Sequence, residues 1–258
     1  MKISFTILGC GSSIGLPTID GSFGKCNPKN KKNFRTRCSA LLINKDLNIL
    51  IDTSPDLKSQ LLRHKVKKID KVFYTHPHGD QTHGINELRV FYLKSRKKVP
   101  VYANTYTQKY LNKSFEYCFK DAKYYPATLK LNKLNNVHYL KDNKKNIIKL
   151  RSIVVKHGNI ESICYVINDK CAYAPDVNKI YLKDFKYLKN LDYLVIDCLR
   201  YRPHPSHYNL DDVLNLVNEI KPKKTILTNL NNDIDYSEIK KNLPKNVIPA
   251  YDGLSFYF

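Results

Sequence analysis

Apolar residues along this chain fall in short runs, and several of the runs end in a polar residue able to do chemistry. Residues 2–8 alternate apolar and polar and predict a first strand. Residues 39–43 and 48–52 predict two paired strands around the turn at Asn44-Lys45-Asp46. Residues 72–75 form an apolar run that predicts a strand stopping at Thr75, and 99–103, 153–158, 171–176, 193–198 and 224–229 follow the same plan. Helical spacing lies between them. Asp52-Thr53-Ser54-Pro55-Asp56 opens a short helix through Leu57, Leu61 and Leu62, with Ser54 or Thr53 as its cap. Ile85, Leu88, Phe91 and Tyr92 predict a helix over 85–93 whose N-terminus faces the loop before it. Tyr106, Tyr110, Phe115 and Phe119 mark the core face of a helix over 105–120. A last helix runs from about 210 to 220, with Asp211 and Asp212 in its first turn and Pro222 just beyond. Residues 20–37 read as a long polar loop and 123–150 as short strands and hairpins. Strands alternating with helices, with no low-complexity linker, predict an α/β chain forming one domain over 1–258.

The residues at the ends of these runs supply the candidate chemistry. Thr75 is followed by His76, His78 and Asp80 at alternate positions, in the loop His76-Pro77-His78-Gly79-Asp80-Gln81-Thr82-His83-Gly84. The C-terminal edge of a sheet in a layered α/β protein is where ligands bind. Two imidazoles and a carboxylate there are the usual ligands of a divalent metal. A polar surface loop is the plain alternative, but His157 and Asp176 stand at the ends of other predicted strands, which favours a metal centre. The loop 200–207 adds His204 and His207. The turn Gly9-Cys10-Gly11-Ser12-Ser13-Ile14-Gly15 matches neither a P-loop nor a dinucleotide fingerprint and reads as a tight turn beside the site. His83 suits packing or support of a ligand, and Arg89 suits contact with the loop carboxylates or with a substrate phosphate. His64 and His138, in lysine-rich stretches, are expected in solvent.

Composition narrows the reading further. No run approaches the roughly 18 uncharged apolar residues needed to span a bilayer, and the first residues lack the pattern of a signal peptide. Seven scattered cysteines, including Cys26 and Cys38, predict reduced thiols and a cytoplasmic setting. The formal charge of +21 favours phosphorylated small-molecule substrates and leaves nucleic acid as a second class of partner. Abundant Lys, Asn, Ile and Tyr give that charge a purely compositional explanation as well.

The Thr-His-x-His-x-Asp-x-x-x-Gly core, with His157 and Asp176 following in order, resembles the metallo-β-lactamase superfamily. Within it, His83-Gly84-Ile85-Asn86-Glu87-Leu88-Arg89 is most similar to the branch containing phosphoribosyl 1,2-cyclic phosphate phosphodiesterase. The resemblance implies a four-layer αββα sandwich with one or two ions, usually zinc or manganese, at one edge. It implies His76, His78 and His157 as ligands of the first ion, Asp176 as a bridge, and Asp80 at the second. It further implies hydrolysis of a small cyclic or phosphorylated metabolite by metal-generated hydroxide, with Asp80 handling the water's proton and His207 protonating the leaving oxygen. A homodimer is common among such relatives. Two positions depart from the pattern: Gln81 and Asn229 stand where the family has histidines. Amide oxygens are poor ligands for zinc, so one firmly held Zn2+ is expected, with a second ion absent, weak, or a harder one such as Mn2+. Two other readings stay open, a nuclease related to tRNA 3′-processing enzymes and a degenerate binding protein without catalysis.

Overall fold

The computed structural model describes residues 2–258; Met1, where the sequence reading begins its single domain, lies outside them. Two seven-stranded mixed sheets pack face to face. The first holds β1 (Ser4–Gly9), β2 (Ser39–Asn44), β3 (Leu47–Ile51), β4 (Lys71–Phe73), β5 (Val99–Ala103) and β6 (Leu129–Lys133). The second holds β7 (Val137–Lys141), β8 (Ile147–His157), β9 (Ile160–Ile167), β10 (Cys171–Ala174), β11 (Tyr193–Asp197), β12 (Lys224–Thr228) and β13 (Val247–Pro249). The last strand, β14 (Ser255–Tyr257), returns to pair antiparallel with β1. In the first sheet β3 to β6 run parallel, and in the second β10 to β13 do.

Seven α-helices complete the layers: α1 (Leu57–Arg63), α2 (Gly79–Thr82), α3 (Arg89–Ser95), α4 (Thr105–Ser114), α5 (Glu116–Phe119), α6 (Leu210–Ile220) and α7 (Tyr236–Asn242). Three apolar clusters show how they stack. Phe5, Ile7, Leu42, Ile51 and Phe73 of one sheet meet Leu150, Ile163, Tyr165, Tyr173 and Val195 of the other. Leu57, Leu61, Leu88, Phe91 and Leu111 cover the outer face of the first sheet. Val213, Leu216, Val217 and Ile220 of α6 cover that of the second, each worth about 1.5–3 kcal/mol of burial. The result is a four-layer αββα sandwich. A helix whose apolar residues recur at 3.6-residue spacing, as in α6, can bury that stripe only against a sheet face. Asn209 starts α6 with a capping box: its side chain accepts from the Asp212 backbone, and the Asp212 side chain accepts from the Asn209 backbone.

Several sequence expectations change in detail. The expected helix over 85–93 is a 3-10 turn at Ile85–Leu88 followed by α3. The helix that starts at the histidine loop is instead the four-residue α2. Gly84 stands at the junction, where only glycine fits because a Cβ would lie 2.0 Å from the Ser54 carbonyl oxygen. The helix over 105–120 divides at Phe115, whose φ of −131° is not helical, and Tyr106 faces solvent while Leu111 and Cys118 are buried. Ahead of α1, the Ser54 hydroxyl accepts from the Asp56 backbone N–H rather than capping from farther back, and Leu62 is exposed. The strand β9, over a stretch to which no strand was assigned above, forms a long hairpin with β8. All seven cysteines are buried and free.

Candidate metal centre

The parallel strands of both sheets deliver their C-terminal ends to one edge, and the expected site residues gather there. β4 ends at Phe73, two residues short of the expected stop, and the chain continues through Tyr74 and Thr75 into the histidine loop. His157 is the last residue of β8, Asp176 follows β10 by two residues, Asp197 closes β11, and Asn229 follows β12. A cavity of about 370 Å³ opens over them, lined by His78, Asp80, His157, Asp176, His207 and Asn229 among others. Ser12, Ser13 and Ile14 of the glycine-rich turn form part of its wall, beside the site as the sequence suggested.

Three imidazoles converge. His78 Nδ1 lies 3.1 Å from His76 Nε2 and 3.3 Å from His157 Nε2. Nitrogens held 2.0–2.1 Å from a tetrahedral ion are about 3.3 Å apart, so the spacing suits one divalent cation. The protons on two of the rings follow from their neighbours. Thr75 Oγ1 donates its only hydrogen to Asp52 Oδ2 at 2.8 Å, so toward His76 Nδ1, at 3.0 Å, it accepts. His157 Nδ1 lies 2.7 Å from the Ser206 carbonyl, which can only accept. Both rings therefore carry hydrogen on Nδ1 and turn the Nε2 lone pair toward the common point. Converging lone pairs repel unless a cation lies between them. The residues present fit such an ion.

Burial and the neighbouring imidazoles hold His76 well below the usual histidine range, and burial, then His207, pushes His157 down to about 4. Both are thus neutral and ready to ligate at ordinary pH. Asp52, which the sequence reading placed only at a strand end, sits fully buried at φ 61° and holds Thr75 through both carboxylate oxygens. Burial raises its pKa well above the usual carboxylate range, against the two bonds from Thr75. Gly158, at φ 58°, has no room for a Cβ, which would come 2.8 Å from Ser206 Cβ; this lets the carbonyl of Ser206 reach His157.

Opposite the imidazoles stand the carboxylates. Gln81 Nε2 lies 3.1 Å from both Asp80 Oδ2 and Asp176 Oδ2. Asp176 Oδ1 is 3.9 Å from His157 Nε2 and 3.8 Å from His207 Nδ1, so Asp176 groups with those two rings rather than with the His76–His78 pair. His207 donates from Nδ1 to Asp197 Oδ2 at 2.7 Å, and Asp197 also accepts from the Val177 N–H and from Asn229. Burial opposes the charged form of His207, but Asp197, and behind it Asp80, raise its pKa above the ordinary value. Burial raises Asp176, reinforced by Asp80.

Other histidines lie elsewhere. His204 borders the cavity and accepts from the Ser206 N–H. His83 is exposed, bonds Tyr110 at 3.1 Å and packs on Phe115, so it supports the helices rather than a ligand. Arg89 stacks on Tyr125 and bonds its hydroxyl, on the outer helical layer. His138 is buried, accepting from the Asn135 N–H and packed edge-on against the rings of Phe73 and Tyr102, and His64 is half-buried against Gly253. Neither is the solvent-facing side chain its lysine-rich surroundings suggested, because β7 turns His138 inward at alternate positions.

Comparison with known proteins agrees with this geometry. The model of the beta-lactamase superfamily domain matches residues 47–228, most of the chain. The chain belongs to the metallo-β-lactamase superfamily. Among solved structures, a diphosphatase of the PhnP family shares 31% identity with this superfamily member, covering 100% of the chain and 98% of that protein at a TM-score of 0.90. Zinc-bound PqqB of Methylobacterium extorquens, at 15% identity, TM-score 0.76 and coverage of 98% and 99%, shares the fold. An octanoyltransferase of Porphyromonas gingivalis is 29% identical over 251 residues, 96% of this chain and 50% of that protein. The chain thus spans about half the length of that curated relative. The chain's histidine–aspartate cluster has the residue types that could hold a metal ion. Among the described residues no helix is long and apolar enough to cross a membrane.

Proposed function

We propose that this protein is a hydrolase that cleaves a phosphodiester or diphosphate bond in a small phosphorylated metabolite. The convergence of His76, His78 and His157, with the Asp197–His207 pair packed beside His157, carries the reading. His76, His78 and His157 would hold one ion, zinc or manganese, with Asp176 beside them. Such an ion supplies Lewis acidity and lowers the pKa of a water towards about 7.

The chain's own residues do the rest. Asp80, on the cavity wall, is placed to orient the attacking water and accept its proton. His207 has Nδ1 committed to Asp197, so Nε2 is the nitrogen available to protonate the leaving oxygen. The Asp197 carboxylate raises the pKa of that ring and so favours its charged form. A cavity of about 370 Å³ suits a small substrate, and the formal charge of +21 draws phosphates to it. The 31% identity to a PhnP-family diphosphatase supports phosphorus rather than a β-lactam as the centre attacked. Polynucleotide ends and a homodimer are the further partners in this reading.

Elemental analysis of protein purified without chelator, paired with a panel of cyclic phosphates, phosphodiesters, diphosphates and a tRNA precursor, tests it. Metal-dependent turnover of a small phosphate ester or anhydride is the expected result. Turnover confined to the tRNA precursor would replace it with the nuclease, and a metal-free, inactive protein would leave the non-catalytic reading.

A further inference from the structure

Both departures from the family's ligand pattern, Gln81 and Asn229, lie at one place, among three carboxylates and with their amide nitrogens inward. Gln81 Nε2 is 3.1 Å from Asp80 Oδ2 and 3.1 Å from Asp176 Oδ2. Asn229 Nδ2 is 3.0 Å from Asp197 Oδ1, 3.4 Å from Asp176 Oδ1 and 3.1 Å from His207 Nδ1. An amide group has two hydrogens on nitrogen and none on oxygen, so only its nitrogen end is attracted to carboxylate oxygens. The orientation is therefore dictated by the neighbours. Its cost is visible: Gln81 Oε1 is buried with no hydrogen-bond partner. Leaving such an acceptor unsatisfied is a penalty that the two carboxylate bonds of Nε2 must outweigh.

We infer that these two amides stand in the place of a second cation, so that the centre takes one divalent ion and resists another. The inference rests on reading the imidazole triad as a metal site. Asp176 is the pivot. Its Oδ2 accepts from Gln81 and its Oδ1 faces the Asn229 amide, so each oxygen already has an amide N–H as its partner. A second ion would have to turn both amides over and break their bonds to Asp80, Asp176 and Asp197. Gln81 and Asn229 are 0% and 1% exposed, which leaves them packed in place while this happens. Asn229 is further fixed by its backbone, at φ 60°, a conformation asparagine tolerates better than most residues. The amides give hydrogen bonds where an ion would give charge, and so the carboxylate layer keeps its arrangement without one.

The test counts ions without reference to turnover. The full chain, purified without chelator, is analysed for metal and then titrated with Mn2+ and with Co2+ by calorimetry. One tight equivalent is expected in the wild type, and two in the Gln81→His/Asn229→His variant. Gln81→Glu provides a second measurement that keeps the side-chain size. It sets a third carboxylate beside Asp80 and Asp176, so its metal-stripped form should melt below the wild type and recover only with the second equivalent of Mn2+. A wild type holding two ions of similar affinity, or both variants remaining at one ion, would overturn the inference while leaving the metal centre standing. A wild type holding no ion at all would remove the metal-centre reading and the inference with it.

Discussion

If His207 protonates the leaving oxygen, its loss must be felt in proportion to how badly that oxygen needs a proton. His207→Ala removes a ring whose Nδ1 is held 2.7 Å from a fully buried carboxylate and whose charged form that carboxylate stabilises. General acid catalysis contributes typically 10²–10⁴-fold, so a diester with an alkoxide leaving group should slow by roughly 10²-fold or more. A p-nitrophenyl ester leaves as a stable anion, and its loss should be far smaller. Steady-state rates of both substrates, at equal metal content, give the comparison. Asp197→Asn provides the companion measurement. With the carboxylate gone, burial and Arg200 act on His207 against Asp80 alone, and its pKa drops. Each unit of that drop is worth about 1.4 kcal/mol, a tenfold smaller protonated fraction on the alkaline side. The alkaline limb of the rate profile should therefore move to lower pH. Equal losses on both leaving groups, or an unmoved limb in Asp197→Asn, would refute the acid role.

Other consequences are as direct. Thr75→Val cuts the link between Asp52 and His76 and should weaken metal binding by about 10–100-fold in a competition titration, with little change in secondary structure. Arg35→Met removes a buried guanidinium that donates to the carbonyls of Asn231 and Ile234 and to Asn33 Oδ1. Losing three hydrogen bonds from a charged donor, though Asn33 Oδ1 still accepts from the Tyr236 N–H, should cost about 3 kcal/mol or more, lowering the melting temperature by roughly 6–12 °C. The metal-free protein should lose stability as pH falls from about 6.5 towards 4. His157 and His76 stay neutral in the fold while the unfolded chain takes up protons in that window, so thermal melts should drop there. For His157 alone the change is on the order of 3 kcal/mol.

What the sequence by itself determined was the strand plan and the chemistry at its ends. Apolar runs that terminate in His76, His157 and Asp176 had to bury their hydrophobic part and leave the polar residue at the edge, and parallel strands bring such edges together. Gln81 and Asn229 were legible as departures only through the family resemblance. Asp197 was within reach of that rule too, as an acid closing an apolar strand, and Asp52 equally so. What only the tertiary structure decided was which atom of each group meets which. The Asp52–Thr75 contact spans 23 residues and the His157–Ser206 contact 49, and no local periodicity encodes either. The break at Phe115, the inward turn of His138 and the direction of the two amides likewise depend on neighbours from distant segments. A local pattern fixes which side chains reach an edge; the hydrogen bonds that choose ring tautomers and amide orientation exist only once the two sheets have packed.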